Sequence, residues 1–299
     1  MNDKDFVIEV AKRIIPVVSI SPESGGDGES KRADELIKIL KDLGYENVER
    51  YDVKDKMGYV RSNLILKIGN AEKTLWLVSH IDTVPVGDRS LWKHDPFSVT
   101  VEGDRMYGRG TEDDGQAVFT SLLILKHLKP EKLKYNLGLA FVADEEMGSV
   151  YGIQYVLTKN IFRDDDLIIV PDAGTEDGLM IETAEKSILW IKFIVTGKQS
   201  HASTPDEGIN TLRESSRFIT MIDEKLHSKY TASNKLFRPA KSTFEPTKHE
   251  KNVDNVNTIP GLEIFYLDSR VLPEYKLDNV IKDIDDAINS FEANSRATI

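Results

Sequence analysis

The sequence predicts an α/β fold in two domains, on three observations. The apolar run at residues 74–78 has the length and character of a buried parallel strand, and similar runs recur at 140–143 and 167–170. Stretches with apolar residues three and four apart lie before and between these runs, which is the spacing of helices that cover a sheet. After Asp172 the texture changes: residues 187–195 alternate in character, and a second set of strands and helices follows. The resulting domains are 1–183 and 184–299.

Taken in order, Phe6, Val7, Val10, Ala11, Ile14 and Ile15 define a helix over 5–15 that Pro16 ends. Residues 21–28 form a turn-rich loop with three glycines and a proline. Ala33, Leu36, Ile37, Leu40 and Leu43 mark a second amphipathic helix, closed by Gly44. Strands are expected over 48–53, 63–68 and the run that ends at His80, and a hairpin over 98–107 turns near Gly103 and Asp104. A third helix runs from about Asp114 to Leu128, and residues 175–178 form a turn. The smaller domain reads as a βαβ-type unit: the strand over 187–195, a helix near 208–229, a strand over 262–267 and a helix near 277–291. Residues 241–254 are the least structured by composition.

Fifty acidic residues against 39 basic ones give a formal net charge of −11. That disfavours nucleic acid and anionic membranes as partners and suits a chain that gathers carboxylates around cations. The absence of cysteine excludes disulfides, thiolate metal sites and cysteine nucleophiles. The first residues lack a signal-peptide pattern and no apolar run approaches membrane-spanning length, so a cytoplasmic location is expected.

The chemistry gathers where strands end. Residues 79–85, Ser-His-Ile-Asp-Thr-Val-Pro, set the His80 imidazole and the Asp82 carboxylate two residues apart on one side of the chain. Open α/β sheets bind ligands at the carboxyl ends of their strands. Taken alone, this stretch equally describes a solvated His and a turn-forming Asp. Acidic residues recur, however, at Glu112-Asp113-Asp114, at Asp144-Glu145-Glu146 and at Asp172, each beside Gly or Pro and next to an apolar run. One His among several such carboxylates has the composition of a metal site. Ser200, His201 and Asp206 do not make a serine triad, because the chain has no Gly-x-Ser-x-Gly elbow.

His80-x-Asp82-x-x-Pro85, Gly108-Arg109-Gly110 followed by Asp113, Asp144-Glu145-Glu146-x-Gly148, Asp172 and Ser200-His201-Ala202 stand in one order. In these motifs the chain resembles the zinc aminoacylase, acetylornithine deacetylase and succinyl-diaminopimelate desuccinylase family of metallopeptidases, over essentially its whole length. A departure is Gly115-Gln116, where many members of that family have Lys then Gly; it blurs the substrate more than the metal chemistry. The resemblance implies a zinc-peptidase-like catalytic domain with a mixed sheet flanked by helices, plus a smaller α/β lid or dimerisation domain that makes a homodimer.

The same resemblance implies two divalent ions, zinc with cobalt or manganese as substitutes. Asp113 is the implied bridge, His80 and Asp172 complete one site, and Glu146 belongs to the other. Asp82 then supports His80 and Glu145 is the general base. His201 reaches an active site, often that of a partner subunit, to bind the oxyanion, and Asn257 and Arg270 grip the substrate. The structural alternatives are a locally bonded loop residue for His201 and a surface pair with Asp268 for Arg270; Asp114 and Asp144 stay open between support and solvent. The implied reaction is hydrolysis of an amide bond in an N-acyl amino acid or short peptide. The alternative is a catalytically deficient relative that binds metal or ligand, or serves as an interaction partner.

The six histidines are His80, His94, His127, His201, His227 and His249. His94 reads as an exposed loop residue, His127 as a helix end, and His227 and His249 as surface residues. Family members carry a final His ligand after the smaller domain, and no His follows His249. The expectation is therefore an incomplete second site, about one tight ion per subunit, an exposed edge on the catalytic sheet, and weak or no activity for this chain alone.

Overall fold

The computed structural model describes residues 1–175 and 178–299, so the turn expected at 175–178 lies partly outside the described residues. The chain divides into two compact units, Met1–Met180 and Ile181–Ile299. No helix among the described residues is long and apolar enough to cross a membrane.

The first unit runs through α1 (Asp3–Ile14), α2 (Ser30–Asp42), β1 (Glu49–Lys54), β2 (Val60–Ile68), β3 (Thr74–His80), the hairpin β4 (Thr100–Glu102) and β5 (Arg105–Tyr107), α3 (Gly115–His127), β6 (Asn136–Val142), α4 (Ile153–Leu157) and β7 (Leu167–Ile169). α1 starts where it does because the Asn2 side chain accepts the Asp5 N–H at 2.8 Å, and its acidic first turn and basic last turn both suit the helix dipole. The five-stranded sheet has the order β1-β2-β6-β3-β7. β6, β3 and β7 are parallel while β1 and β2 run antiparallel, so the sheet is mixed.

Strand alternation sends Leu64, Leu66, Leu77, Leu139 and Phe141 to one face, where they pack with Ile14, Leu36, Leu40 and Leu122 of the three long helices. Ile65, Trp76, Val78, Ala140 and Val142 go to the other face, against Val156 of α4. Burial on both faces explains why β3 and β6 read as continuous apolar runs, and each such side chain contributes about 1.5–3 kcal/mol. β7 is the sheet edge, and its Leu167, Ile168 and Ile169 are exposed. Register pairs His80 with Val142 at the carboxyl ends of β3 and β6, so the chain leaves both strands side by side.

The second unit holds β8 (Ser187–Thr196), β9 (Ser200–His201), α5 (Thr211–Lys229), β10 (Thr243–His249), β11 (Thr258–Ile259), β12 (Leu262–Val271) and α6 (Leu277–Glu292). Its main sheet has the order β10-β12-β8 and both pairings are antiparallel, which corrects the βαβ-type reading. A strand–helix–strand pattern in sequence does not fix strand direction. β10 also corrects the reading of 241–254 as the least structured stretch. Only Phe244 of this edge strand is buried, and Pro246 sits at a shift of register, a place where an edge strand tolerates a missing N–H. The core is aromatic: Phe193 stacks on Phe265 at 4.8 Å between centroids, and Phe218 meets Phe193 edge-on at 5.4 Å.

Candidate metal centre

His80 closes β3 and is buried. Its Nδ1 lies 3.2 Å from the backbone oxygen of Asp82 and 3.4 Å from that residue's Oδ1. Both partners are acceptors, so Nδ1 carries the hydrogen and Nε2 faces outward. Nε2 lies 2.9 Å from Oδ1 of Asp113 and 3.9 Å from Oδ1 of Asp172. Two acidic groups share this nitrogen. His80, Asp113 and Glu146 bring their ligand atoms within 4.8 Å of one another, as do His80, Asp114 and Asp172.

Asp82 is almost wholly buried and does more than face His80. Its two oxygens accept the backbone N–H groups of Glu145 and Glu146, each at 3.0 Å. It thereby fixes the short 3-10 turn Glu145–Met147 that follows β6. Asp114, left open from sequence, is buried support: its Oδ2 accepts the His80 N–H at 3.1 Å. Asp144 is buried too, and lies 3.1 Å from the Arg61 guanidinium. α3 begins directly after Asp113 and Asp114, so the positive end of its dipole favours these carboxylates. A Cβ at Gly115 would meet the Gly110 carbonyl oxygen at 2.1 Å, so this backbone path leaves no room for the Lys that many members of the resembled family have there.

The donor set fits a divalent ion. Oδ1 of Asp114 and Oε1 of Glu146 are buried without a hydrogen-bond partner among the described residues. Burial raises the pKa of Glu145, Glu146 and Asp172, His80 opposes the shift, and neighbouring carboxylates add to it. Burial likewise drives Asp114 up to about 8. Burial disfavours a charged His80, but Asp82, Asp114 and Asp172 outweigh it and raise the pKa to about 10. A cluster of acids that repel one another around one imidazole is relieved by a hard cation at its centre.

Sequence reasoning missed two buried arginines beneath this centre. Arg32 of α2 donates to the backbone oxygens of Val17 at 2.9 Å and Ile81 at 3.2 Å, holding the chain as it leaves β3. Arg61 of β2 pairs with Glu29 and Asp144. The available signal was Arg61 and Asn63 two apart on one face of a strand whose Leu64, Ile65 and Leu66 mark it as buried.

His201, Asn257, Arg270 and His249 belong to the second unit. His201 ends β9 and is exposed; its Nδ1 lies 2.7 Å from Oγ of Ser203 and its Nε2 3.2 Å from Nδ2 of Asn257. Arg270 of β12 forks onto both oxygens of Asp268 at 2.7 and 3.0 Å, and Trp190 donates to the same carboxylate at 2.7 Å. His249 pairs with the buried Glu263 at 2.8 Å. In the first unit, His94 is half-buried rather than exposed, because its ring packs 5.2 Å from that of Tyr107 and meets Glu102 at 3.2 Å.

Residues 76–180 match the family model for peptidase family M20/M25/M40, and residues 183–296 match the peptidase dimerisation domain. An uncharacterised metallohydrolase of Methanocaldococcus jannaschii is 41% identical over 297 residues, covering 95% of this chain and 72% of that protein. An acetylornithine deacetylase of Aliivibrio salmonicida is 29% identical, covering 95% of this chain and 73% of its own length. Among solved structures, an M20 family metallo-carboxypeptidase from Sulfolobus solfataricus superposes with a TM-score of 0.67 at 23% identity, covering 99% of this chain and 77% of that one.

Proposed function

Because this chain belongs to the M20 peptidase family, we propose that it is a divalent-metal-dependent hydrolase of an amide bond in an N-acyl amino acid or short peptide. One observation carries the reading: His80 belongs to two groups, one with Asp113 and Glu146 and one with Asp114 and Asp172, and within each group the ligand atoms lie within 4.8 Å of one another. Similarity to proteins named acetylornithine deacetylase and succinyl-diaminopimelate desuccinylase supports the substrate class.

In this reading His80, Asp113, Glu146 and Asp172 hold zinc, with cobalt or manganese able to substitute. When bound, such ions lower the pKa of water and polarise a carbonyl. The chain's own groups supply the rest. Asp82 fixes the His80 tautomer and the turn that carries both glutamates. Glu145, with its pKa raised by burial, takes the water's proton and returns it to the leaving amine. His201, once released from the Asn257 amide that faces its Nε2, binds a developing oxyanion at the partner subunit's centre in a homodimer. Arg270 grips a substrate carboxylate in exchange for Asp268.

The test is a panel of N-acetyl and N-succinyl amino acids and dipeptides, offered to chelator-treated protein with zinc, cobalt or manganese restored. The expected result is weak turnover of one substrate class that chelation abolishes and metal restores. Metal binding with no hydrolysis of any member would overturn the enzyme reading in favour of a binding protein.

A further inference from the structure

We propose that Arg61 is a positioning residue for the turn that carries Glu145 and Glu146, acting through the carboxylate of Asp144. The inference rests on the reading of that turn as part of a metal centre. The guanidinium is fully buried. Its Nε and Nη2 fork onto Glu29 at 2.7 and 2.5 Å. Nη2 also lies 3.1 Å from Oδ1 of Asp144, and the group sits 5.6 Å from the centroid of the Tyr151 ring.

Asp144 needs such an anchor. Its φ is 67°, in the left-handed region that side-chain-bearing residues seldom adopt. Its Oδ2 accepts the Tyr151 N–H at 2.9 Å, and its backbone oxygen accepts the Ser149 N–H at 2.6 Å. Bent in this way, the chain leaving β6 presents the N–H groups of Glu145 and Glu146 to Asp82. Asn63, two residues along β2 from Arg61, binds both ends of the segment: it accepts the Ala143 N–H and donates to the Tyr151 oxygen, each at 3.0 Å. The two glutamates are thus set by side chains of β2 that lie outside the metal cluster.

Charge explains why the anchor is an arginine. Glu29, Asp55 and Asp144 are buried, and among the described residues Arg61 is the cation within 4 Å of all three. A buried carboxylate without its cation turns toward water, and that change lets go of the bend before Glu145.

Hydrogen–deuterium exchange on the full chain reads the turn directly and needs neither metal nor substrate. Arg61→Lys keeps the charge but loses the fork; Asp144→Asn keeps the shape but loses the charge, and decides the matter if the first variant does not fold. Exchange over residues 143–151 is expected to rise about tenfold in either folded variant, while β3 and β6 exchange as in the parent. Mn²⁺ affinity is expected to fall about ten- to a hundredfold. Unchanged exchange over 143–151, or equal loosening of β3 and β6, would overturn the proposal and leave Arg61 a merely structural residue. A parent chain that binds no Mn²⁺ would sink the metal-centre reading, while the exchange data would still decide the role of Arg61.

Discussion

Nε2 of His80 lies 2.9 Å from Oδ1 of Asp113, and the two residues differ sharply in setting: the imidazole is buried and the Asp113 side chain is 61% exposed. A buried, oriented nitrogen facing an accessible carboxylate is a site open on one side. The rigid partner comes from the end of β3 and the exposed one from the turn before α3, so the pair joins two elements that the sheet brings together.

Asp82→Ala is expected to cost stability as well as function. The substitution leaves the N–H groups of Glu145 and Glu146 without their acceptor, and an unsatisfied buried donor costs about 1–3 kcal/mol. Urea unfolding should show a clearly lowered midpoint for Asp82→Ala, with Asp82→Asn less affected because one amide oxygen remains. A midpoint for Asp82→Ala equal to the parent's would mean that this carboxylate does not hold the turn.

Glu145→Gln separates base from ligand. Metal content should be retained, because Glu145 is absent from the ligand sets around His80. Turnover should fall by about 10²–10⁴-fold, the usual worth of general acid–base catalysis. Parent-like hydrolysis by the variant would remove Glu145 from the mechanism.

Gly138→Ala probes the sheet beneath the site. Gly138 pairs in register with Trp76, and an added Cβ would lie 2.1 Å from the indole Cε3. Trp76 is fully buried and its Nε1 donates to Asp166 at 2.9 Å, so the ring has little freedom to give way. Overpacking of this kind costs about 1–3 kcal/mol. A thermal midpoint unchanged from the parent's would show that the ring moves more freely than this geometry implies.

The sequence carried the strands and helices well where burial is two-sided or periodic, as in β3, β6, α2 and α6. It failed where structure depends on backbone pairing alone. β10 has one buried side chain in seven residues, and its strand character comes from hydrogen bonds to β12. His80, Asp113, Glu146 and Asp172 were legible as candidates because each stands just after an apolar run or just before a helix, and the structure sets His80 in one group with Asp113 and Glu146 and in another with Asp114 and Asp172. Arg61 was not, because even its pairing with Asn63 on one face of β2 gives no sign of the carboxylates that three separate segments deliver to it. Gly115 shows the same limit: its reason is a contact with Gly110 that only the folded turn creates.

β8 is an edge strand, and its outward Ile188, Trp190 and Ile194 are exposed. Pairing of this edge with a second copy would bury both the open backbone and the apolar stripe. Sedimentation should show a dimer in the parent and a monomer in an Ile188→Asp, Trp190→Asp double variant. Mixed dimers of inactive His201→Ala and Glu145→Gln chains should recover part of the activity. A parent that stays monomeric at every concentration would rule out this edge as the contact.

The most direct test is a calorimetric titration of metal-free protein with Zn²⁺, run in parallel on the parent, His80→Ala and Asp113→Ala. A cation centre built on Nε2 of His80 predicts tight binding by the parent, loss of that binding in His80→Ala, and marked weakening in Asp113→Ala with the fold intact. Equal affinity and stoichiometry in all three proteins would contradict it.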